Sequence, residues 1–239
     1  MLQILNSSNN FTGHIPLLGD LKHLVQLLVG GNSLSSTTKL NYQVFHSLTN
    51  CTQLREIHLN SNQLADELPP SVANLSVNLQ HLFKDWKSIK TLCTYQLRKV
   101  FFKGKIPNSI GKLQKLERLT VTDNLFSGEI QDIFSNFTRL YELDMTNNRL
   151  SGRIPMSIAI CQRLEMLVLA RTALNGSIPK QIFLASQLKF LLLANNSLSS
   201  SLPNEFGHLR QFDIMDISGN QLSGNIPAIT NITTLQETR

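Results

Sequence analysis

Histidine and cysteine side chains are the groups of this chain that could bind a metal or act in catalysis. Six histidines are scattered along the sequence without the spacing of metal ligands. They are His14, His23, His46, His58, His81 and His208. The sequence also contains no nucleophile elbow and no glycine-rich phosphate loop. We therefore predict no catalytic residues, no metal site and no cofactor.

The cysteines offer no redox chemistry that the sequence can identify. Their number is odd, and Cys51 and Cys161 precede Leu54 and Leu164 by the same three residues. Cys51 and Cys161 would then occupy the same position in repeats that are far apart along the chain. Their separation would be well beyond the ~7 Å between Cα atoms that a disulfide spans. We predict buried free thiols.

Positive charge is concentrated between Lys84 and Arg118. This segment contains ten basic and two acidic residues, whereas the net charge of the whole chain is +6. Trp86, Tyr95, Phe101 and Phe102 are interspersed there, and such a combination could suit a nucleic acid. The alternative is a solvated irregular surface. Since no base-reading module accompanies the charges, we predict no nucleic-acid partner.

A pattern that recurs every 24 residues determines which elements position these groups. Its opening residues are Leu92, Leu116, Leu140, Leu164, Leu188 and Phe212. The pattern reads approximately LxxLxLxxNxLxGxIP and is clearest in LYELDMTNNRLSGRIP, residues 140–155. Leu143 and Met145 alternate inward on a short strand, and Leu150 and Ile154 turn back into the core. One such unit cannot bury its apolar side alone, so the copies must stack. The sequence predicts an α/β leucine-rich-repeat solenoid, a right-handed superhelical horseshoe with a parallel concave sheet and short convex helices or 3-10 turns.

An asparagine occupies the ninth position of most repeats. The residues are Asn32, Asn62, Asn124, Asn148, Asn196 and Asn220. An amide can bond the backbone groups exposed where the strand bends, so stacking predicts a structural ladder rather than a binding site. Thr172 replaces asparagine once and offers fewer hydrogen bonds.

The domain prediction is a single array over residues 1–239, with nine to ten repeats, irregular at 1–23 and 79–103 and lacking both caps. Leu79 and Leu92 are only 13 residues apart, so we expect the ladder to be interrupted there. An enlarged convex segment follows Leu24, and we predict a helix in it from Gln43 to Leu48.

The turns LSGRIP, LNGSIP and LSGNIP, residues 150–155, 174–179 and 222–227, resemble those of the plant-specific leucine-rich repeat. This resemblance implies a second sheet beside the first. The segment from Ser47 to Leu82 resembles the ectodomain of plant receptor-like serine/threonine kinases of the immune-receptor type. The kinase motifs themselves are not found in the sequence.

Asn-x-Ser/Thr sequons are candidate glycosylation sites. Those that we single out are Asn50, Asn74, Asn136, Asn175, Asn195 and Asn231. Asn50, Asn74, Asn136 and Asn231 come four or five residues before an opening leucine, which predicts a convex position. Glycans there would leave the concave sheet open. The alternative is that the repeat requires an asparagine at this phase for packing.

Concave side chains alternate with the core leucines, at repeat positions 3, 5, 7 and 8. Adjacent strands lie ~4.8 Å apart, so side chains at equal positions should be neighbours. We predict a contiguous apolar patch with a polar rim that includes Asp144, Arg171 and Asp216. The patch residues are Met166, Val168, Phe190, Leu192 and Ile214. Such patches often mark binding sites, but ordinary packing between strands is an equal alternative.

The functional prediction is a non-catalytic recognition module. By resemblance, it would be the extracellular part of a plant receptor-like kinase at the plasma membrane, with a peptide or protein ligand and a receptor-kinase coreceptor as partners. The sequence has neither a signal-peptide pattern at its amino terminus nor an apolar membrane span. We therefore expect membrane attachment only through a segment absent from this chain. The alternatives are a secreted leucine-rich-repeat inhibitor of a microbial wall-degrading enzyme and a truncated gene product without function.

Overall fold

The structure is a computed structural model that describes residues 2–83, 101–208, 212–228 and the backbone of 237–238. Its described strands form two parallel sheets along one stack of repeats. The first sheet is concave, has ten strands and takes one strand from each turn of the solenoid. In spatial order, the strands are Ile4–Asn6, Gln26–Leu28, Glu56–His58, His81–Leu82, Arg118–Thr120, Glu142–Asp144, Met166–Val168, Phe190–Leu192, Ile214–Asp216 and Glu237–Thr238.

The second sheet has nine parallel strands and confirms the additional sheet implied by the LSGRIP-type turns. Each strand begins next to the ladder position and contains the glycine of the turn in most repeats. The strands are Thr12–Gly13, Ser33–Ser36, Gln63–Glu67, Phe101–Gly104, Leu125–Glu129, Arg149–Gly152, Ala173–Gly176, Ser197–Ser201 and Gln221–Ser223. Both sheets run in sequence order, so every repeat contacts mainly its two neighbours.

Short helices line the convex side. An α-helix spans Thr38–Leu48, where Thr37 caps its N-terminus by accepting a hydrogen bond from the backbone N of Leu40. The predicted helix at Gln43 to Leu48 is confirmed as the C-terminal part of this longer helix. The other convex helices within the described ranges are 3-10 helices, most of which follow a proline. They are Pro70–Asn74, Asn108–Lys112, Phe134–Asn136, Met156–Ile160, Lys180–Leu184 and Asn204–His208.

One continuous hydrophobic core runs between the sheets and the convex helices. The central residue of each inner strand points into it, and Leu143, Leu167 and Leu191 are completely buried in equivalent positions. Aromatic rings extend the core where the repeats are less regular: Phe102 stacks on Phe126 with a centroid distance of 6.0 Å. Because each repeat buries its apolar side against the next, the stack itself is the source of stability.

The asparagine ladder is confirmed. The amide nitrogen of Asn148 donates to the carbonyl oxygens of Val121 at 2.8 Å and Met145 at 2.9 Å, and its Oδ1 accepts from the backbone N of Phe126 at 3.0 Å. Asn62 repeats this set with Val29, Leu59 and Leu34. Asn196 and Asn220 do the same in later repeats. The amides therefore join consecutive turns of the solenoid.

The residue before each ladder asparagine adopts a left-handed backbone conformation in most repeats. Its φ lies between 53° and 72° in the residues Gly31, Ser61, Asp123, Asn147, Arg171, Asn195 and Gly219. This conformation bends the chain sharply from the first sheet into the second. It is uncommon for residues other than glycine, asparagine and aspartate, so Arg171 is held in it by the surrounding repeat.

In each sheet, the strand that precedes residues 84–100 and the strand that follows them are direct neighbours. His81 pairs with Arg118 in the first sheet, and Glu67 pairs with Lys103 in the second. A repeat opening at Leu92 would have placed another strand between His81 and Arg118, so that prediction is wrong for the first sheet. The repeat that opens at Leu79 is 13 residues longer than the 24-residue period, and the additional residues follow its first-sheet strand His81–Leu82. The spacing of the leucines alone could not distinguish this longer repeat from a new repeat that opens at Leu92. Leu92 itself lies outside the described residues.

Cys51 and Cys161 are buried free thiols, as predicted. Burial raises the pKa of the Cys161 thiol to about 12, since the thiolate would lose its hydration. Cys93 lies outside the described residues. The two described cysteines therefore contribute to packing rather than to reactivity.

Candidate ligand-binding surface

The exposed side of the first sheet consists of two rows of side chains, one on each side of the buried leucines. Strand pairing aligns Arg118, Glu142, Met166, Phe190 and Ile214 in one row. The other row contains the third residue of each of these strands. In order, these residues are Thr120, Asp144, Val168, Leu192 and Asp216. The predicted neighbours are therefore side by side on one face.

The apolar part of this face is contiguous across three strands. Met166, Phe190, Leu192 and Ile214 are half-buried, so each keeps some surface accessible to a ligand. Val168 is a correction, because it is only 2% exposed and does not project from the surface as expected. Its short branched side chain lies between the neighbouring strands that carry Asp144 and Leu192, which cover it. We refer to the four half-buried residues as the apolar patch.

Ion pairs lie next to the apolar patch. The Nε of Arg118 lies 3.0 Å from Oε2 of Glu142, and its guanidinium lies 4.9 Å from the ring centroid of Tyr141. Lys189 and Glu165 form a second pair across neighbouring strands, also at 3.0 Å. These charges neutralise each other within the array. They therefore leave little charge for a ligand to pair with at these positions.

A histidine and glutamate group lies farther towards the amino terminus on the same face. Oε1 of Glu56 is 3.1 Å from Nδ1 of His81, and its Oε2 is 3.6 Å from Nε2 of His58. His58 is only 4% exposed. This group was not found in the sequence as a unit. The residues are separated by 25 positions or fewer, but only strand register shows that they meet.

Asp144 and Asp216 flank the apolar patch in the row that contains Val168 and Leu192. Each carboxylate accepts a hydrogen bond from a backbone N two residues later, Thr146 at 2.9 Å and Ser218 at 3.0 Å. Neither carboxylate forms an ion pair with any residue that the structure describes. Burial raises the pKa of Asp144 to about 7, and the nearby carboxylates of Glu142 and Asp123 act in the same direction.

Arg171 and Asn195 lie at the bend that follows the apolar strands. Arg171 is half-buried and Asn195 is exposed, and both have left-handed backbone conformations. Arg171 already interacts with other groups of the protein. Arg171 therefore lies at the bend and not in the paired rows.

The described sequons are all exposed, but they lie on three different parts of the molecule. Asn50, Asn74 and Asn136 lie at the ends of convex helices, as expected. Asn175 is in the second sheet, in the strand Ala173–Gly176. Asn195 borders the concave face, and Asn231 lies outside the described residues.

Residues 2–83, 101–208 and 212–228 contain no cluster of histidine, cysteine or acidic side chains that could hold a metal ion. In the part of the chain that is described, no helix has the length and apolar character needed to cross a bilayer. The described face of the first sheet presents a mixed apolar and acidic surface.

Comparison with known families decides what the repeating units are. The Leucine Rich Repeat family model matches residues 53–75, 139–161 and 187–209, three units in phase with the strands described above. These units are leucine-rich repeats. The leucine-rich-repeat solenoid predicted from the 24-residue period is therefore confirmed.

The leucine-rich repeats are homologous to those of plant receptor-like kinases. The chain is 36% identical over 101 residues to the LRR receptor-like serine/threonine-protein kinase EFR of Arabidopsis thaliana, which is 42% of this chain and 8% of EFR. It is 31% identical over 101 residues to the receptor kinase-like protein Xa21 of Oryza sativa subsp. japonica, again 8% of that protein. The similarity lies in the leucine-rich repeats and not in the kinase domains of these proteins.

A solved structure extends the similarity to nearly the whole chain. The plant peptide hormone receptor RGFR1, determined in complex with RGF2, superposes with a TM-score of 0.85 and 33% identity. The match covers 99% of this chain and 35% of RGFR1. The chain thus corresponds to about a third of the length of that receptor chain and to less than a tenth of the length of EFR and of Xa21.

Proposed function

We propose that this leucine-rich-repeat array is the extracellular recognition module of a plant receptor-like kinase at the plasma membrane, and that it binds a peptide or protein ligand through its concave face. The observation that carries the proposal is the apolar patch of Met166, Phe190, Leu192 and Ile214. Half-buried apolar side chains on a preformed sheet can bury more area when a ligand docks, without a cost for ordering the surface.

Two similar structures support this proposal, one of a peptide hormone receptor and one of a receptor kinase with its peptide and co-receptor. RGFR1 is a peptide hormone receptor, and the receptor kinase HAESA of Arabidopsis has been determined in complex with the peptide hormone IDA and the co-receptor SERK1. HAESA superposes on this chain with a TM-score of 0.72 and 27% identity. By the same logic, ligand binding on this chain would promote its pairing with a coreceptor.

A random peptide display library tests the proposal directly. The immobilised chain is panned against the library, in parallel with a double variant in which Phe190→Asp and Leu192→Asp place charge in the apolar patch. We expect peptides that bind the unchanged protein and are lost with the double variant. Thermal unfolding of both proteins shows whether the variant keeps its fold.

A control variant separates the patch from the rest of the array. Ile160→Asp changes an exposed apolar residue on a convex helix and should leave the selected peptides bound. Enrichment no greater than on an unrelated protein would overturn the proposal. Equal binding by a folded double variant would exclude the apolar patch as the ligand site.

A further inference from the structure

Four consecutive residues of the row that begins at Thr120 have acidic side chains at both ends and apolar side chains between them. They are Asp144, Val168, Leu192 and Asp216. The four residues lie on four consecutive strands of the first sheet. Three strand spacings of ~4.8 Å separate the two aspartates by about 14 Å across the sheet. The row therefore offers two carboxyl groups at a fixed separation, with the half-buried side chain of Leu192 between them.

The two aspartates differ from the other charged residues of this face. Arg118 and Glu142 are paired with each other, as are Lys189 and Glu165. Asp144 and Asp216 have no ion-pair partner among the described residues, although both are half-buried. A partly buried carboxylate without a cation is costly, and a bound cation would remove that cost.

A second observation next to Asp144 also points to a ligand. Thr120 precedes Asp144 in the same row and is only 4% exposed. Its Oγ1 is buried without a hydrogen-bond partner in the described part of the chain. A buried hydroxyl normally has a partner, and Thr120 would gain one from a ligand at Asp144 if docking displaced the side chains that now cover it.

An extended peptide fits these spacings when it lies across the strands. Alternate side chains of an extended chain point to the same side, and residues four positions apart are separated by about 13 Å. This distance is close to that between the two aspartates. The residue midway between them would then lie over Val168 and Leu192.

We propose that the ligand of this face is an extended cationic peptide segment with basic residues at positions i and i+4 and an apolar residue at i+2, the basic residues pairing with Asp144 and Asp216. This inference rests on the proposed function and adds the ligand class to it. It also assigns distinct roles to the row, because the apolar centre supplies contact area and the acidic ends supply the register.

The test repeats the peptide-library panning with single variants of the two aspartates. Asp144→Asn and Asp216→Asn keep the shape and the backbone hydrogen bond of each side chain but remove its charge. Asp20→Asn is the matched control, since Asp20 is exposed in a loop away from the concave face. Sequencing of the enriched peptides gives the residue preferences at each spacing.

We expect basic residues two positions on either side of an apolar residue in the peptides selected by the unchanged protein and by the Asp20 variant. A synthetic peptide of this type should bind about tenfold more weakly to either Asp144→Asn or Asp216→Asn, as for loss of one charged hydrogen bond. If this peptide is Lys-x-Leu-x-Lys, a control peptide in which both lysines directly adjoin the leucine should also bind about tenfold more weakly to the unchanged protein.

Two other outcomes would overturn the inference and are distinguishable. Peptides that depend on Phe190 and Leu192 but show no basic spacing, or that bind the asparagine variants equally, would refute the cationic ligand and leave the proposed function standing. The absence of any enriched peptide would refute both.

Discussion

The side-chain amide of Asn148 donates a hydrogen bond to the carbonyl oxygen of Val121, 2.8 Å away in the preceding repeat. This bond crosses from one turn of the solenoid to the next, and the same amide also closes the bend of its own repeat at Met145. A single side chain thus fixes both the local conformation and the stacking. Loss of the amide should therefore affect more than one repeat.

Replacement of Asn148 by alanine should lower the free energy of unfolding by about 3 kcal/mol, because it leaves the buried backbone groups of Val121, Met145 and Phe126 without partners. Urea unfolding followed by circular dichroism measures the change. Arg149→Ala, at the adjacent exposed position, should have an effect within about 0.5 kcal/mol. Equal effects of the two variants would show that the ladder is not a major source of stability.

Thr172 is the weak position of the ladder. Its hydroxyl donates to the carbonyl oxygen of Leu169 at 3.2 Å and also bonds with Asn196. Thr172→Asn should raise the free energy of unfolding by about 1 kcal/mol, because an amide at this position can reach the carbonyl of Met145 and accept from the backbone N of Leu150. The same urea experiment applies. A variant no more stable than the unchanged protein would contradict the proposed geometry, and Thr172→Val should be less stable than either.

Ser200 occupies the turn position that is glycine in most repeats. Its φ is 78°, close to the 73° of Gly176 and the 83° of Gly224 in the adjoining repeats. Ser200→Gly should raise the midpoint of thermal unfolding, with a stabilisation of up to about 1 kcal/mol, because it relieves the steric cost of a side chain at positive φ. The reverse change, Gly176→Ser, should destabilise the protein, since a Cβ there would lie 3.2 Å from Cγ of Arg153. The changes in unfolding midpoint should have opposite signs in the two variants, and changes of the same sign would contradict the prediction.

The carboxyl group of Asp144 should make stability depend on pH. Its pKa is about 7 in the folded protein, whereas its ordinary value is 3.8. At a pH between these two values, the folded protein keeps a proton on this carboxyl group that the unfolded chain has released. The free energy of unfolding should therefore fall as pH rises from about 4 to 7, by at most ~1.4 kcal/mol per pH unit. Asp144→Asn should flatten this dependence in urea titrations at a series of pH values. An unchanged slope in the variant would assign the effect to other groups.

Convex sequons should be glycosylated when the chain passes through a secretory pathway. Asn50, Asn74 and Asn136 are exposed at helix ends on the convex side, where an enzyme can reach them. Mass spectrometry of the chain produced in plant cells should find glycans at these positions, and Asn136→Gln should remove one. Thr138→Ser preserves the sequon and serves as the control. Unmodified peptides at all three positions would indicate that the asparagines have only a packing role.

The sequence was sufficient for the repeat architecture because the 24-residue period fixes which side chains must share a core. It also identified the ladder, since a side-chain amide at a bend can satisfy the exposed backbone donors and acceptors there. Val168 was misplaced because its exposure depends on how closely its neighbours in adjacent strands cover it, and the period gives no information about that. The group of Glu56, His58 and His81 was missed because strand register, not spacing in the sequence, brings its members together.

The direct pairing of His81 with Arg118 shows that the array tolerates an unequal repeat without losing a strand contact. Chain length can therefore change after Phe83 while the scaffold on either side keeps its geometry. During evolution, a segment could be gained or lost at this joint in one step. New specificity could then arise by grafting at the joint, with no redesign of the surrounding core.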